Sequence, residues 1–505
     1  MEPDGERHKV DMLRVDGPSS HRTERDALAT KGLQHENARA RHGGGATPVI
    51  LTTLTARLIG ACALVGIILS LIAPHAWAQE PRPGAMRQQT TATEEEEPTS
   101  RSPVLVRIPA LGPTLAPSYP GLSNYPLELL GLLMSPLERR DVNVLPTISI
   151  SEEFNDNIFL NNANKRYDFI TTFTPGIMAL VNRPRFQLAA GFTNDANLYA
   201  RGSSPNDGLA RQNFVLGSIW EPTPVLTFAV ADTFLRDQSP DATAGGFALG
   251  GQAGMSNVLN PTMGWQVGSQ TRLNLGLIYS ILRFTGQGTG IESDTYGFTS
   301  NLSHGFTPRF NGMVGYNFTY IDLRTGHGDN AAVHNPTLGF TYRVTPTLSI
   351  AIDGGPAFTH LGNEDFITPA FNAGFSQRLP VGNVSAYYAR SIGVAGGFGG
   401  PTDNQTASAT LLLPLLRDLI VIFNPAWTKA ESLSDQQIER VDVQLFTLTL
   451  GAAYRVNPYI TLFGGYSFLI QRVGQSSTTQ DFDADQNRVK FGVQFGYPFA
   501  FDLGG

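Results

Sequence analysis

The chain has 505 residues and a formal charge of −7, from 36 basic and 43 acidic side chains. Only 16% of it is charged, while glycine reaches 53 residues and aromatics 10%; soluble proteins carry about 25% charge. The acidic balance argues against a nucleic-acid partner, and 41% hydrophobic content is too high for a disordered chain. Apolar runs of about 20 residues do not recur, which excludes a bundle of membrane helices.

Taken in chain order, residues 1–56 are polar, and the longest apolar run, LIGACALVGIILSLI, follows Arg57 and precedes Ala76-Trp77-Ala78. A basic flank, an apolar core and a small-x-small site predict a secretory signal peptide cleaved after Ala78, so that 1–78 is a leader. A retained membrane anchor is the competing reading. Cys62, the chain's one cysteine, lies in this run, and the expected mature chain has neither disulfides nor thiolate chemistry. Residues 79–141 carry Glu94 to Glu97 and then repeated prolines, a composition that predicts a mostly disordered periplasmic segment. Its apolar piece, Leu127 to Leu137, is a candidate short helix that docks on the following domain or plugs it.

From residue 142 to 505 the sequence alternates with period two. In FNGMVGYNFTY, Phe310, Val314, Tyr316, Phe318 and Tyr320 share one face, with Asn311, Gly315, Asn317 and Thr319 on the other. Aromatics against lipid and small polar residues in a lumen are the pattern of a transmembrane β-barrel. Short turn signals recur at 182–184, 221–224, 268–270, 307–309, 345–347, 379–381, 414–418 and 456–458. Longer polar segments separate them, at 199–210, 237–262, 286–293, 324–333, 393–403, 431–438 and 473–486. Eight short turns join sixteen strands, and one more at each end makes about eighteen, with sixteen the alternative. The predicted fold is all-β, an up-and-down antiparallel barrel with both ends on the periplasmic side. In the last strand, Lys490-x-Gly492-x-x-Phe495-x-Tyr497 resembles the signal read by the bacterial barrel-assembly machinery.

Arginines gather near the predicted short turns, among them Arg183, Arg309 and Arg417. Arg272, Arg343, Arg378 and Arg455 are the candidates for a basic ring at the periplasmic mouth; alternation places Arg343, Arg378 and Arg455 with Thr341, Ser376 and Ala453 on the small-polar face. Such a ring would concentrate anionic solutes, whereas arginines at a rim also snorkel to lipid head groups. Acidic residues such as Asp156, Asp207, Asp237, Asp294, Asp403 and Asp485 gather near the opposite ends. No set of His, Ser and carboxylate at catalytic spacing stands out, so no enzyme, cofactor or metal centre is expected.

The segment ISISEEFNDNIFLNNANKRYDFITTFTPGI resembles the opening hairpin of the β-barrel porin 2 family, through Phe154, Asp156-Asn157-Ile158-Phe159, Asp168-Phe169 and Pro175-Gly176. The likeness runs through the Thr-Pro turns to the last strand. It implies an outer-membrane barrel of a Gram-negative bacterium that serves as a passive conduit for export of an exopolysaccharide. A general or anion-preferring diffusion porin, and a blocked structural or adhesion barrel, remain open. The expected partners are outer-membrane lipid and lipopolysaccharide, the barrel-assembly machinery and periplasmic polysaccharide export components, with no nucleic acid.

Overall fold

The computed structural model describes residues 141–501 apart from 241, 245–246, 249–252, 286–289, 325–329, 398–399, 434–441 and 475–482. The predicted leader and, save Asp141, the proline-rich segment lie outside the described residues.

The strands are β1 (Val142–Asn155), β2 (Asp168–Arg183), β3 (Phe186–Tyr199), β4 (Asp207–Thr223), β5 (Leu226–Asp237), β6 (Ala253–Gly268), β7 (Thr271–Thr285), β8 (Ser293–Gly305), β9 (Phe310–Leu323), β10 (Ala331–Arg343), β11 (Leu348–Leu361), β12 (Glu364–Arg378), β13 (Asn383–Val394), β14 (Pro401–Leu416), β15 (Leu419–Ser432), β16 (Asp442–Asn457), β17 (Ile460–Val473) and β18 (Ala484–Gly496). After a break at Tyr497-Pro498, the short stretch Phe499–Phe501 prolongs β18. Each strand is antiparallel to the next. Closure comes from β18 against β1, from Asn155↔Arg488 to Thr147↔Gly496, prolonged by Val142↔Phe501. The result is a closed all-β ring of eighteen strands, the predicted number, and all eight predicted short turns are links between strands.

One expectation is corrected. The polar segment expected at 237–262 is shorter, because β6 begins at Ala253; a small hairpin, Thr243–Ala244 with Phe247–Ala248, lies within what remains. At the long-loop end, β11 and β12 are joined only by Gly362-Asn363, with Gly362 at φ +57°. Strands here run well past the roughly 9–11 residues that cross a bilayer, so polar ends that look like loop in sequence remain hydrogen-bonded.

Alternation decides which face is which. On β9, β10 and β12, Val314, Leu338 and Ile367 are 60%, 70% and 71% exposed, and they share a face with Tyr316, Phe340 and Phe371. In a closed ring this is the exterior, and so large an apolar surface is stable only against lipid. The opposite parity carries Asn301, Asn317, Thr337 and Gly339 and faces the lumen. Between β10 and β11 the pairing lapses from His334↔Phe358 to Leu338↔Gly354. Pro336 and Pro356 fall in that lapse, and a proline has no N–H to give. Asn335 compensates from the lumen side, its Nδ2 donating to the Pro356 carbonyl at 3.2 Å.

Candidate functional site: the pore

The lumen of the described barrel is built in three tiers. At mid-height an amide belt crosses successive strands. Asn274 of β7 stands opposite Asn301 of β8. Asn317 of β9 donates from Nδ2 to Asn335 Oδ1 of β10 at 3.3 Å, and Asn372 of β12 donates to Asp353 Oδ2 of β11 at 2.9 Å. Sequence reasoning missed this belt as a unit. Its signal was present in the spacing, since each residue falls on the small-polar parity of its strand, but only the register aligns them.

Toward the short-turn end, Arg272, Arg343, Arg378 and Arg455 all have lumen parity. They are not equivalent. Arg455 is held by Asp418, with Nη2 at 2.5 Å and Nε at 3.0 Å from the same carboxylate oxygen, and its charge is thereby compensated. Arg272 donates from Nε to Asn274 Oδ1 at 3.0 Å and lies over Gly264, where a Cβ would collide with its guanidinium. Arg343 and Arg378 are exposed and have no side-chain ion pair among the described residues. Among the described residues the ring of four therefore holds one compensated charge, at Arg455, and three without an ion pair, of which Arg272 is tied to a neutral amide and Arg343 and Arg378 stand exposed.

Toward the long-loop end the acidic residues anticipated from sequence are present, but arginines from the same strand ends meet them. Arg211 pairs with Asp237 at 2.7 Å and Arg488 with Glu153 at 2.7 Å, both on the lumen side. On the exterior, Arg283 and Arg324 clamp Asp294 at 2.5 and 2.6 Å, and Arg390 and Arg472 pair with Asp403 and Asp485 at 2.6 Å. The Asp294 hydrogen bond and charge hold Arg324, which lies in the loop beyond β9, above the ordinary guanidinium pKa. Charge is thus compensated in pairs at Glu153, Asp237, Asp294, Asp403 and Asp485, whereas Asp156 bonds the neutral Asn487 and Asp207 a backbone amide.

The same end of the lumen carries apolar clusters. Leu160, Phe247 and Ala395, from three different loops, are buried with Ala430, Val443, Leu445, Leu469 and Ala484 of the wall. Ile291, Ile321, Leu323, Ala331 and Leu361 form a second. Phe247 belongs to the loop between β5 and β6, and it lies in a cluster that combines loops and wall.

In the last strand, Phe495 and Tyr497 are exposed, and Tyr497 stacks on Tyr459 at 5.4 Å. Lys490 and Gly492 have lumen parity. Gly492 sits under the Phe463 ring and against Ser151 of β1, leaving no room for a side chain where the ring closes. The described histidines lie apart: His304 contacts Thr271, His334 contacts Tyr316, and His360 contacts Asp365. His327 and Asp481 lie outside the described residues. Among the described residues no group of three or more His, Cys, Asp or Glu is placed to hold a metal ion.

A closed antiparallel ring of eighteen strands, apolar outside and polar inside, defines a transmembrane β-barrel of the outer-membrane type. No family model and no curated relative matches the sequence. Among solved structures, it is similar to the siderophore receptor PirA from Pseudomonas aeruginosa (10% identity, 71% of this chain and 81% of that one, TM-score 0.38). OccAB3 from Acinetobacter baumannii (10%, 71% and 100%, 0.38) and OpdL from Pseudomonas aeruginosa (12%, 71% and 99%, 0.37) are similar to the same degree. Scores this low add nothing to what strand pairing establishes.

Proposed function

We propose that the barrel is a passive porin for small polar solutes, with its short-turn end in the periplasm and its long loops outside. The observation that carries this reading is the lumen: an amide belt able to donate to and accept from hydroxyl-bearing solutes, below which Arg343 and Arg378 offer uncompensated positive charge. Fixed cations in a confined aqueous pore raise the local concentration of anions, so a modest anion preference is expected. Selectivity needs no covalent step, and the barrel acts as a channel rather than an enzyme.

Planar-bilayer conductance and liposome swelling test this. Replacing Arg343 and Arg378 together by Gln is expected to lower the anion-to-cation permeability ratio about threefold, whereas Arg455→Gln changes it little because Asp418 already compensates that charge. A barrel that conducts nothing would favour a blocked structural or adhesion role. Export of an exopolysaccharide, the finer reading implied by the resemblance to the β-barrel porin 2 family, is supported by the same amide belt, which suits a hydroxyl-rich polymer. Deletion that leaves secreted polymer unchanged would sink it. The reading further takes lipopolysaccharide as the partner of the exterior Arg283–Asp294–Arg324 cluster. It takes the barrel-assembly machinery as the partner of Lys490, Gly492, Phe495 and Tyr497, and periplasmic export components as partners of the inner mouth.

A further inference from the structure

The basic side chains of the short-turn end are not spread evenly around the ring. From β7 to β12 they are Arg272 on β7, Arg309 in the β8–β9 turn, Arg343 on β10 and Arg378 on β12, all exposed and none in an ion pair among the described residues. The described carboxylates of that end lie elsewhere. Asp141 precedes β1, 3.8 Å from Arg183, Glu221 is on β4, and Asp418 lies between β14 and β15, bound to Arg455. Register brings three of the four arginines together. The Arg343 N–H donates to the Arg309 carbonyl at 2.8 Å. Arg343 also stands against Ser349, which stands against Ser376, two residues before Arg378. With strands about 4.8 Å apart and a rise of about 3.4 Å per residue, the backbones of Arg343 and Arg378 are separated by roughly 12 Å.

The sequence that leads into β1 carries the complement of this arc. Residues 88–100 contain Glu94 to Glu97, the longest unbroken acidic run of the chain, and no basic residue. Along an extended backbone four such side chains cover about 10 Å, the scale of the Arg309, Arg343 and Arg378 patch. The run is joined to the barrel by 43 residues, Pro98 to Arg140. Asp141 fixes the point of entry at the short-turn end, where its carbonyl accepts from the Asn182 N–H at 2.9 Å. Eighteen strands about 4.8 Å apart and tilted by about 40° close a ring roughly 36 Å across, and β10 is the strand opposite β1. A flexible coil of the connecting length has an r.m.s. span of about 35 Å, which prolines lengthen. Reach thus matches distance, the condition under which a tethered ligand attains its highest effective concentration, on the order of millimolar.

We propose that the arc of Arg309, Arg343 and Arg378 is a docking surface for the chain's own acidic run, Glu94 to Glu97. The run lies over the mouth opposite its point of entry, and its carboxylates accept from the guanidinium groups. Exposed ion pairs are individually weak and are screened by salt, so the contact is reversible and gives way to a solute anion or to rising ionic strength. While docked, the run compensates the charges that set anion preference; that preference is strongest once the run is displaced. This consequence rests on the porin reading, and the docking itself does not.

The test uses the full chain in bilayer nanodiscs, in a Cys62→Ser background with Thr93→Cys beside the acidic run. The second cysteine is Val381→Cys in the β12–β13 turn, near Arg378, or, as the control, Val225→Cys in the β4–β5 turn, near Glu221. Both valines are 48% exposed, and Val225 is the nearer to β1 around the ring. Under a mild oxidant at low ionic strength, T93C/V381C is expected to form its disulfide at least about tenfold faster than T93C/V225C, and to lose that advantage at about 1 M salt. R343Q/R378Q and, separately, E94Q/E95Q/E96Q/E97Q are each expected to bring the two rates within about twofold of one another. Equal rates in the starting chain, or an advantage that either variant leaves unchanged, overturn the docking and leave solute anions as the occupants of the arc. Planar-bilayer recording in parallel separates the two readings. E94Q/E95Q/E96Q/E97Q is expected to raise the anion-to-cation permeability ratio about twofold at low salt, and an unchanged ratio in a conducting barrel overturns the compensation. A barrel that conducts nothing while the disulfide advantage holds would fail the porin and not the docking.

Discussion

The two joins that bound the barrel's most contrasting regions behave opposite to their distance along the chain. β18 and β1 lie at the two ends of the barrel sequence, yet they are paired along nearly their whole length, with one lapse at Tyr497-Pro498. β12 and β13 are joined by only four residues, Leu379 to Gly382, yet they part after Phe371↔Arg390. Side-chain chemistry accounts for the difference. Across the closing join, Arg488 grips Glu153 through two hydrogen bonds at 2.7 and 3.0 Å, Asn487 bonds Asp156 at 2.6 Å, and Gln486 and Asn157 each reach the other side's backbone at 2.9 Å. At the upper β12–β13 edge no such bond crosses among the described residues, and the apolar tip of the β13–β14 hairpin finds its partners inside the mouth instead. A short turn brings strands together at one end and does not oblige them to pair at the other.

The closing join is the place to break the barrel outright. Gly492→Val would set a Cβ 2.7 Å from Ser151 Cβ and 2.8 Å from the Ile150 carbonyl. This variant is expected to fail to close, losing the heat-modifiable compact band on unheated gels. Arg488→Met leaves the Glu153 carboxylate buried and unpaired, and breaking such a pair costs about 3–5 kcal/mol; urea unfolding in liposomes should register a loss of that size. A smaller effect sharpens the other side of the contrast. The β13-facing amides of residues 364–370 are expected to exchange hydrogen at least about tenfold faster than the amides of Ala331–His334, which are paired on both sides. Equal protection would mean that the division is sealed in the bilayer. Smallest of all, Thr368→Val removes a buried hydroxyl that has no partner among the described residues, and urea unfolding should show no loss of stability but a gain of about 1 kcal/mol.

Much of this was legible before any coordinates. Alternation at Phe310 to Tyr320 and at Val489 to Phe499 announces strands with one lipid face, and the turn prolines announce where they reverse. Three of the mouth arginines, Arg343, Arg378 and Arg455, could be placed on the lumen face by counting alone, and strand pairing adds Arg272. Counting could not show that Asp418, one link away from Arg455 in space, compensates its charge, or that Arg283, Arg390 and Arg472 would neutralise the acidic strand ends. Those facts depend on which strands are neighbours and how far each is staggered against the next. The loop expected at 237–262 was overestimated for a related reason: Ser256, Asn257 and Asn260 look like loop residues, but pairing on both sides holds them in β6.

Local sequence, then, determined the strand period, the turns, the approximate number of strands and the sorting of apolar from polar faces, because each of these follows from the two-residue repeat of an extended chain and from where a proline is tolerated. The tertiary structure alone decided the amide belt, the pairing of charges and the division between β12 and β13. Each depends on register between strands and on what a loop meets when it folds inward, and neither is written in the residues nearest to it.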